Sequence, residues 1–180
     1  MSKWWWVVLA VSAVGLLLAW RSAAQARAAP EVGASAPALA LPDQAGKVRH
    51  IEDFRGKWLV LYFYPKDDTP GCTREACMFR DDWQKLDALG AQIAGVSVDN
   101  ALSHAAFARK YHLPFPLLAD AGGEVAARYG SLRDFGLFKF AQRNTFLIDP
   151  QGRVMRVYLG ASTSKNSREI IEDLKKLTGM

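Results

Sequence analysis

Apolar residues between positions 48 and 177 alternate between short continuous runs and longer stretches with helical spacing. Residues 58–64 form an apolar run of seven, which is typical of a central strand buried on both faces. Residues 93–98 are predicted to form a second buried strand. Between these two segments, Phe79, Trp83 and Leu86 are spaced by four and three, so the pattern predicts a helix over residues 70–89.

The rest of the chain continues this alternation. The pattern predicts helices over residues 101–111, 122–129 and 168–177, and strands over residues 48–51, 115–118, 145–149 and 154–158. The tight-turn sequence Asp-Pro-Gln-Gly at residues 149–152 predicts that the last two strands pair as a hairpin. Strands that alternate with helices, followed by a hairpin and a helix, predict an α/β fold with a central mixed β-sheet flanked by helices on both faces.

The first thirty residues follow a different pattern. An apolar stretch over residues 4–20 has Lys3 before it and Arg21 after it, and the small-residue tract at 22–26 contains plausible signal-peptidase sites. As a helix this stretch would be ~25 Å long, slightly short of a ~30 Å hydrocarbon core, with Trp at both ends where interfacial aromatic residues lie. A cleaved signal peptide and an uncleaved membrane anchor both remain open for residues 1–30. Either one predicts an exported protein, in the periplasm or anchored in the inner membrane and facing it.

Composition adds limits on domain number and partners. A chain of 180 residues that is 50% hydrophobic predicts one folded domain with a modest appendage. We assign residues 31–36, which are rich in small residues, to a linker and residues 37–180 to the domain. The net charge is +5, of which Lys3, Arg21 and Arg27 carry three, so residues 31–180 hold only +2. A domain with this balance is not predicted to bind nucleic acid.

The cysteine and histidine content argues against a metal or cofactor. Two cysteines exclude a disulfide-dense scaffold and a zinc site made of cysteines alone. His50, His104 and His112 have no ligand spacing to the cysteines, and we expect them to face solvent. No cofactor and no metal ligand are therefore predicted.

Candidate chemistry lies where the first buried strand leads into its helix, in the sequence Pro65-Lys-Asp-Asp-Thr69-Pro-Gly-Cys72-Thr-Arg-Glu-Ala-Cys77. Cys72 falls in the first turn of the predicted helix, where unpaired N–H groups and the helix dipole favour a negatively charged group. Thr69 is close enough to share a small polar ligand with the sulfur, and Pro65 can wall the pocket without adding a donor. A cysteine in this position is predicted to be an activated nucleophile.

Two separated motifs in the chain resemble the peroxiredoxins. Pro65-x3-Thr69-x2-Cys72 resembles the active-site signature of that family, and residues 62–81 resemble its bacterioferritin-comigratory-protein branch, also called peroxiredoxin Q. Residues 143–149, Arg-Asn-Thr-Phe-Leu-Ile-Asp, resemble the block that supplies the active-site arginine of that branch. The resemblance covers about residues 33–177 and implies a thioredoxin-like fold. It departs from the family at Pro37-Ala-Leu, where Pro-Asp-Phe is usual.

The resemblance also implies an activity and a role for each site residue. It implies a thiol-dependent peroxidase that reduces hydrogen peroxide and organic hydroperoxides, with Cys72 as the peroxidatic cysteine that becomes a sulfenic acid. Cys77 would be the resolving cysteine, and a thioredoxin-like dithiol would reduce the intramolecular disulfide. Thr69 would hydrogen-bond the peroxide, Pro65 would shield the sulfur, and Arg143 would stabilise the departing oxygen. We predict a monomer that contacts the membrane only through residues 4–20, if these stay attached.

Other functions remain open at this stage. One alternative is an exported thiol–disulfide oxidoreductase or a copper-handling thioredoxin-fold protein, although the former usually has Cys-x-x-Cys and the latter needs a third ligand such as His. A non-catalytic module on the same fold is another, and so is a static disulfide between Cys72 and Cys77. If one helix holds both cysteines, they lie ~7.5 Å apart along its axis and ~140° apart around it, which is incompatible with a disulfide.

Overall fold

The computed structural model of the protein describes residues 28–179. Residues 1–27, which are most of the predicted signal peptide or anchor, lie outside the described residues. The strands are β1 (Ala40–Pro42), β2 (Val48–His50), β3 (Trp58–Phe63), β4 (Ala91–Ser97), β5 (Leu117–Ala119), β6 (Leu132–Asp134), β7 (Lys139–Ala141), β8 (Asn144–Ile148) and β9 (Val154–Leu159). The helices are a 3₁₀ helix (Ile51–Phe54), α1 (Pro70–Asp81), α2 (Trp83–Ala88), α3 (Ala101–Tyr111), α4 (Glu124–Arg128) and α5 (Asn166–Thr178). None of the helices in this part of the chain has the length and apolarity needed to cross a bilayer.

A five-stranded sheet with the order β5-β4-β3-β8-β9 forms the centre of the fold. Strands β3, β4 and β5 run parallel, whereas β8 pairs antiparallel with both β3 and β9. The predicted hairpin of the last two strands is therefore confirmed, and the sheet is mixed as predicted. Two small antiparallel pairs, β1 with β2 and β6 with β7, lie outside this sheet.

Side chains of β3 alternate between two cores, one on each face of the sheet. Val60 and Tyr62 pack into the core that also contains apolar side chains of α1, α3 and α5. Leu61 and Phe63 pack into the opposite core, with side chains of α4, the 3₁₀ helix and the β1–β2 pair. Because both faces are covered, the strand reads as a continuous apolar run rather than as an alternating one.

Helix α1 begins directly after a loop that follows β3. Thr69 is its N-cap with extended backbone, and Pro70 occupies the first turn, where the missing N–H has no helical partner to lose. The predicted helix over residues 70–89 is divided into α1 and α2 at Asp82. The Asp82 carboxylate accepts hydrogen bonds from Ser167 at 2.8 Å and from Lys85 at 2.7 Å, which ties this break to α5.

Other differences from the predicted elements have local causes. The strand predicted over residues 115–118 is observed at Leu117–Ala119, because Pro116 has no N–H for the ladder. Three strands of three residues each, β1, β6 and β7, were not predicted. In the predicted linker, Gly33 N donates to Val154 O at 2.7 Å and Ala36 N donates to Gly152 O at 2.8 Å, so these residues lie along the β8–β9 hairpin.

Candidate active site

Cys72 lies in the first turn of α1 and is almost fully buried, with 1% of its surface exposed. Its sulfur receives a hydrogen bond from Arg143 Nη2 at 3.2 Å. The position at a helix N-terminus and the contact with a guanidinium both place positive electrostatic potential at the sulfur. The structure therefore joins two residues that lie 71 positions apart in the sequence, as their separate motifs predicted.

Arg143 is held by its main chain at the residue before β8. Ala161 N donates to Arg143 O at 2.7 Å, and the side chain of the adjacent Asn144 bonds to Ser131 Oγ at 3.0 Å and to Gly160 N at 3.1 Å. The guanidinium then reaches Cys72 with one nitrogen and Glu75 Oε2 with the other, at 2.7 Å. A planar fork fixed at two points is a preorganised donor.

Glu75 follows Cys72 by three residues, so both side chains lie on one face of α1. Burial raises the pKa of Glu75 to about 7, although the Arg143 guanidinium and the Asn166 side chain both act to lower it. Oε1 of Glu75 receives no hydrogen bond from the described residues, and Asn166 Nδ2 donates to Thr145 Oγ1 at 2.6 Å. Glu75 and Arg143 thus form an ion pair whose acidic partner is buried.

Gly71 leaves the space that Arg143 occupies. A Cβ at this position would lie 2.8 Å from Arg143 Nη2 and 3.6 Å from Thr163 Cγ2. Any larger residue would therefore push the guanidinium away from the sulfur. Sequence analysis gave Gly71 no such role, and the available signal was a glycine inside a helix, where it is disfavoured.

Thr69 and Pro65 lie in the loop between β3 and α1, and both are half-buried. The Thr69 hydroxyl donates to Lys66 O at 3.0 Å and makes no capping bond to the helix. A hydroxyl that donates once can still accept a hydrogen bond, so Thr69 can receive one from a bound peroxide. Within the described residues, neither residue hydrogen-bonds Cys72 or Arg143, and their predicted roles stay predictions.

Cys77 lies in the same unbroken helix as Cys72 and is half-buried. Both cysteines are free thiols, so the static disulfide is not present in this structure. Helix α1 therefore holds both cysteines, which is the arrangement that is incompatible with a disulfide between them.

A second polar cluster, which we call the anchor cluster, consists of Tyr64, Asp67, Ser103 and His104. Asp67 Oδ1 accepts a hydrogen bond from Tyr64 at 2.7 Å, and Oδ2 accepts from Ser103 at 2.7 Å and from His104 Nδ1 at 2.8 Å. Burial alone would raise the pKa of Asp67, but the hydrogen bonds, that of His104 first, hold it below its usual value. The expectation that the histidines face solvent is wrong for His104, which is buried because this carboxylate binds it.

Among residues 28–179, no group of three or more His, Cys, Asp or Glu side chains is arranged to hold a metal ion.

Comparison with known proteins places the chain in a family. The sequence profile of the AhpC/TSA family matches residues 32–157. A Coxiella burnetii protein that carries the name peroxiredoxin bcp is 43% identical over 145 residues, which are 78% of this chain and 96% of that protein. The solved peroxidoxin BcpB from Mycobacterium tuberculosis is 33% identical with a TM-score of 0.78, over 82% of this chain and 97% of that chain. The Xanthomonas campestris bacterioferritin comigratory protein, solved in work on its alkyl peroxide reduction, is 30% identical with a TM-score of 0.73, over 78% and 92%.

The chain therefore belongs to the AhpC/TSA family, in its bacterioferritin-comigratory-protein (peroxiredoxin Q) branch. It has the predicted thioredoxin-like α/β fold and is a thiol-dependent peroxidase, an oxidoreductase that acts on peroxide. Membership also implies a hydroperoxide substrate and a thioredoxin-like reductant. The thiol–disulfide oxidoreductase and copper-handling alternatives are not favoured.

Proposed function

We propose that Cys72 is the peroxidatic cysteine and that Arg143 activates both the sulfur and the peroxide. The observation that carries this proposal is the 3.2 Å contact of Arg143 Nη2 with Cys72 Sγ in the first turn of α1. The thiolate attacks one oxygen of the peroxide, the O–O bond breaks, and Cys72 becomes a sulfenic acid. The other oxygen leaves with the electron pair, takes a proton and departs as water or an alcohol. Arg143 stabilises the negative charge that develops on it.

The substrates of this site are hydrogen peroxide and organic hydroperoxides. The relative from Xanthomonas campestris is described by its alkyl peroxide reduction, which supports an organic substrate here. Thr69 accepts the hydrogen bond of the peroxide O–H, and Pro65 covers the sulfur without offering a donor.

Replacement of the sulfur tests this assignment. Cys72→Ser should abolish peroxide consumption in steady-state assays, because an alcohol is a far weaker nucleophile than a thiolate. Cys77→Ser is the matched control and should still oxidise once at Cys72, as read by intact mass. Near-normal consumption by Cys72→Ser would contradict the assignment, provided that both variants retain the circular dichroism of the wild type.

Cys77 is proposed to resolve the sulfenic acid by forming a disulfide with Cys72 and releasing water. In an intact α1 the two residues are ~7.5 Å apart along the axis and ~140° apart around it, so the bond cannot form there. The segment from Gly71 to Phe79 must unwind, and a thioredoxin-like dithiol then reduces the disulfide and lets α1 reform. Thr73 and Arg74 in this segment are not among the buried residues, so the cost of opening comes mainly from the buried Ala76 and Phe79 and from the ion pair of Glu75.

Amide hydrogen exchange tests the opening of α1. Residues 71–80 should exchange faster in the oxidised protein than in the reduced one, because the disulfide excludes the helix. Cys77→Ser should keep the slow exchange after one equivalent of peroxide and should accumulate sulfenic acid, which a second equivalent of peroxide converts to sulfinic acid. Equal amide protection of residues 71–80 in both redox states of the wild type would contradict the proposed opening of α1.

Location and assembly are also proposed rather than observed. We propose that the domain is exported and is a monomer. Residues 1–30 would be either a signal peptide or an inner-membrane anchor that holds the domain on the periplasmic side. The apolar stretch over residues 4–20 and its flanking Lys3 and Arg21 support this. The intact mass of the protein from membrane and periplasmic fractions distinguishes a cleaved from an attached segment, and light scattering gives the number of subunits.

A further inference from the structure

The β6–β7 hairpin presents an exposed apolar tip. Phe135 is 66% exposed, Leu137 is 91% exposed and Phe138 is 70% exposed. The Phe135 ring stacks on the partly exposed Phe140 ring, with centroids 5.9 Å apart, so the aromatic side chains form one surface rather than scattered positions. Clustered large apolar side chains at the tip of a hairpin mark an interaction surface.

Basic side chains surround this tip. Arg133 and Lys139 are exposed on the two strands, and Arg128 is exposed on the preceding α4. Lys139 lies 3.4 Å from Asp134, which is the one acidic residue between positions 128 and 142. Apolar side chains flanked by Lys and Arg are the composition that binds the interface of an anionic bilayer.

The chain enters the described structure beside the base of this hairpin. A Cβ at Gly130 would lie 2.6 Å from the carbonyl carbon of Ala28, so the start of the described chain packs against the residue two positions before β6. Residues 21–27 separate Ala28 from the apolar stretch that ends at Trp20. A connection of eight residue steps can span at most ~28 Å.

We propose that the β6–β7 hairpin docks on the surface of a phospholipid bilayer with anionic headgroups. Phe135, Leu137 and Phe138 enter the interface, while Arg133 and Lys139 contact headgroup phosphates. The hairpin carries this interaction itself, and an uncleaved segment over residues 4–20 would raise its local concentration at the membrane.

Docking would bring the reaction site near the lipid, because only five residue steps, which span at most ~18 Å, separate Phe138 from Arg143. Strand β7 leads through Gln142 directly into Arg143, which contacts the Cys72 sulfur. The docked enzyme would therefore reduce hydroperoxides of phospholipids in that bilayer faster than a variant that does not dock. Reduction of water-soluble hydrogen peroxide needs no docking and should be equal in both.

Hydrogen exchange on the full chain in lipid nanodiscs tests the docking. With discs that contain ~30% phosphatidylglycerol, amides of residues 132–141 should exchange about tenfold more slowly than with discs of phosphatidylcholine alone. The double variant Leu137→Gln, Phe138→Gln should lose this protection and should retain the hydrogen peroxide rate. Leu102→Gln is the matched control, since Leu102 is 83% exposed on α3, and it should behave as the wild type.

Each other outcome overturns the proposal in a recognisable way. Equal exchange of residues 132–141 in both kinds of disc would exclude docking on anionic lipid. Protection that appears without lipid and grows with protein concentration would assign the hairpin to a second copy of the chain. The chain could also fail to co-elute with discs of either kind, with the exchange of residues 132–141 unchanged; this result would reject both the docking and the anchor. Co-elution without protection of residues 132–141 would reject the docking alone.

Discussion

Asp67 and Glu75 are two carboxyl groups that lie on either side of the start of α1 and are both almost fully buried. Their side chains keep 4% and 2% of their exposure, yet the pKa of Asp67 is lowered and that of Glu75 is raised to about 7. Burial acts in the same direction on both groups. The difference comes from the hydrogen bonds that each carboxyl receives and from the deeper burial of Glu75.

The donors differ between the two carboxyl groups. Asp67 accepts from Tyr64, Ser103 and His104, whereas Glu75 accepts from Arg143 and leaves Oε1 without a donor among the described residues. Asp67 is thus a permanent charge that holds the loop before α1. Glu75 is a charge that can be lost near neutral pH, and it shares its cation with the reacting sulfur. Neighbouring buried acids can therefore serve a structural and a chemical role.

The largest effect is expected from Arg143→Lys, which changes the reaction site and leaves the anchor cluster unchanged. Lysine keeps the positive charge but cannot bond the sulfur and Glu75 through one planar group, so Cys72 oxidation should slow by at least ~10²-fold. Stopped-flow oxidation by peroxide in a single turnover measures this step. Arg153→Lys, at an exposed arginine, serves as the control. An unchanged oxidation rate would return Arg143 to an ordinary surface residue.

Asp67→Asn should instead disrupt the anchor cluster and cause a large loss of stability. The amide turns one acceptor into a donor that faces the donors of Ser103 or His104, and the free energy of unfolding should fall by about 2 kcal/mol. Urea denaturation measures this change. Asp68→Asn is a close control, because Asp68 is exposed and pairs with Lys110 at the surface. Similar losses of stability in Asp67→Asn and Asp68→Asn would show that the anchor cluster stabilises the fold no more than a surface ion pair does.

Gly71→Ala tests the space that Arg143 needs. The new Cβ would lie 2.8 Å from Nη2, so the guanidinium should move and Cys72 oxidation should slow by about tenfold. Helix propensity favours alanine, so stability should not fall in parallel. Gly122→Ala is the control, since its Cβ would meet only ordinary contacts with Glu124. An oxidation rate equal to that of the wild type would show that Arg143 tolerates the crowding.

The smallest effect concerns the proton on Glu75. Its pKa is about 7 in the fold and 4.5 for an ordinary glutamate, so between these values the folded chain holds a proton that the unfolded chain has lost. The free energy of unfolding should therefore decrease as pH rises through this window. We expect Glu75→Gln to remove most of this decrease between pH 5 and pH 7, as measured by urea denaturation. Exposed Glu172→Gln should leave the pH dependence of the wild type intact.

The sequence was most informative where a pattern was long or a motif was specific. The helix over residues 101–111 and the final hairpin were predicted within a residue or two, because helical spacing and a tight turn are local signals. Of the five strands that have three residues, β2 and β5 were predicted, whereas β1, β6 and β7 carry too little pattern and were missed. In the site, motifs indicated Cys72 and Arg143.

Contacts between distant segments could not be found this way. The burial of His104 depends on Asp67, which lies 37 positions earlier, and the role of Gly71 depends on a guanidinium 72 positions later. His104 carries no unusual local pattern, and Gly71 carries only that of a glycine in a helix. Such pairings arise only when the sheet brings β3, α3 and β8 together, so they required the fold.

Because α1 is unbroken, resolution of the sulfenic acid must wait for the helix to open. The protein therefore sets the rate of resolution, and this rate is independent of the peroxide concentration. Attack of a second peroxide on the same sulfur becomes faster in proportion to peroxide concentration. The two rates cross at one concentration, above which the enzyme inactivates itself. Substitutions that tighten or loosen the first turns of α1 would move that dose threshold without touching the reacting atoms.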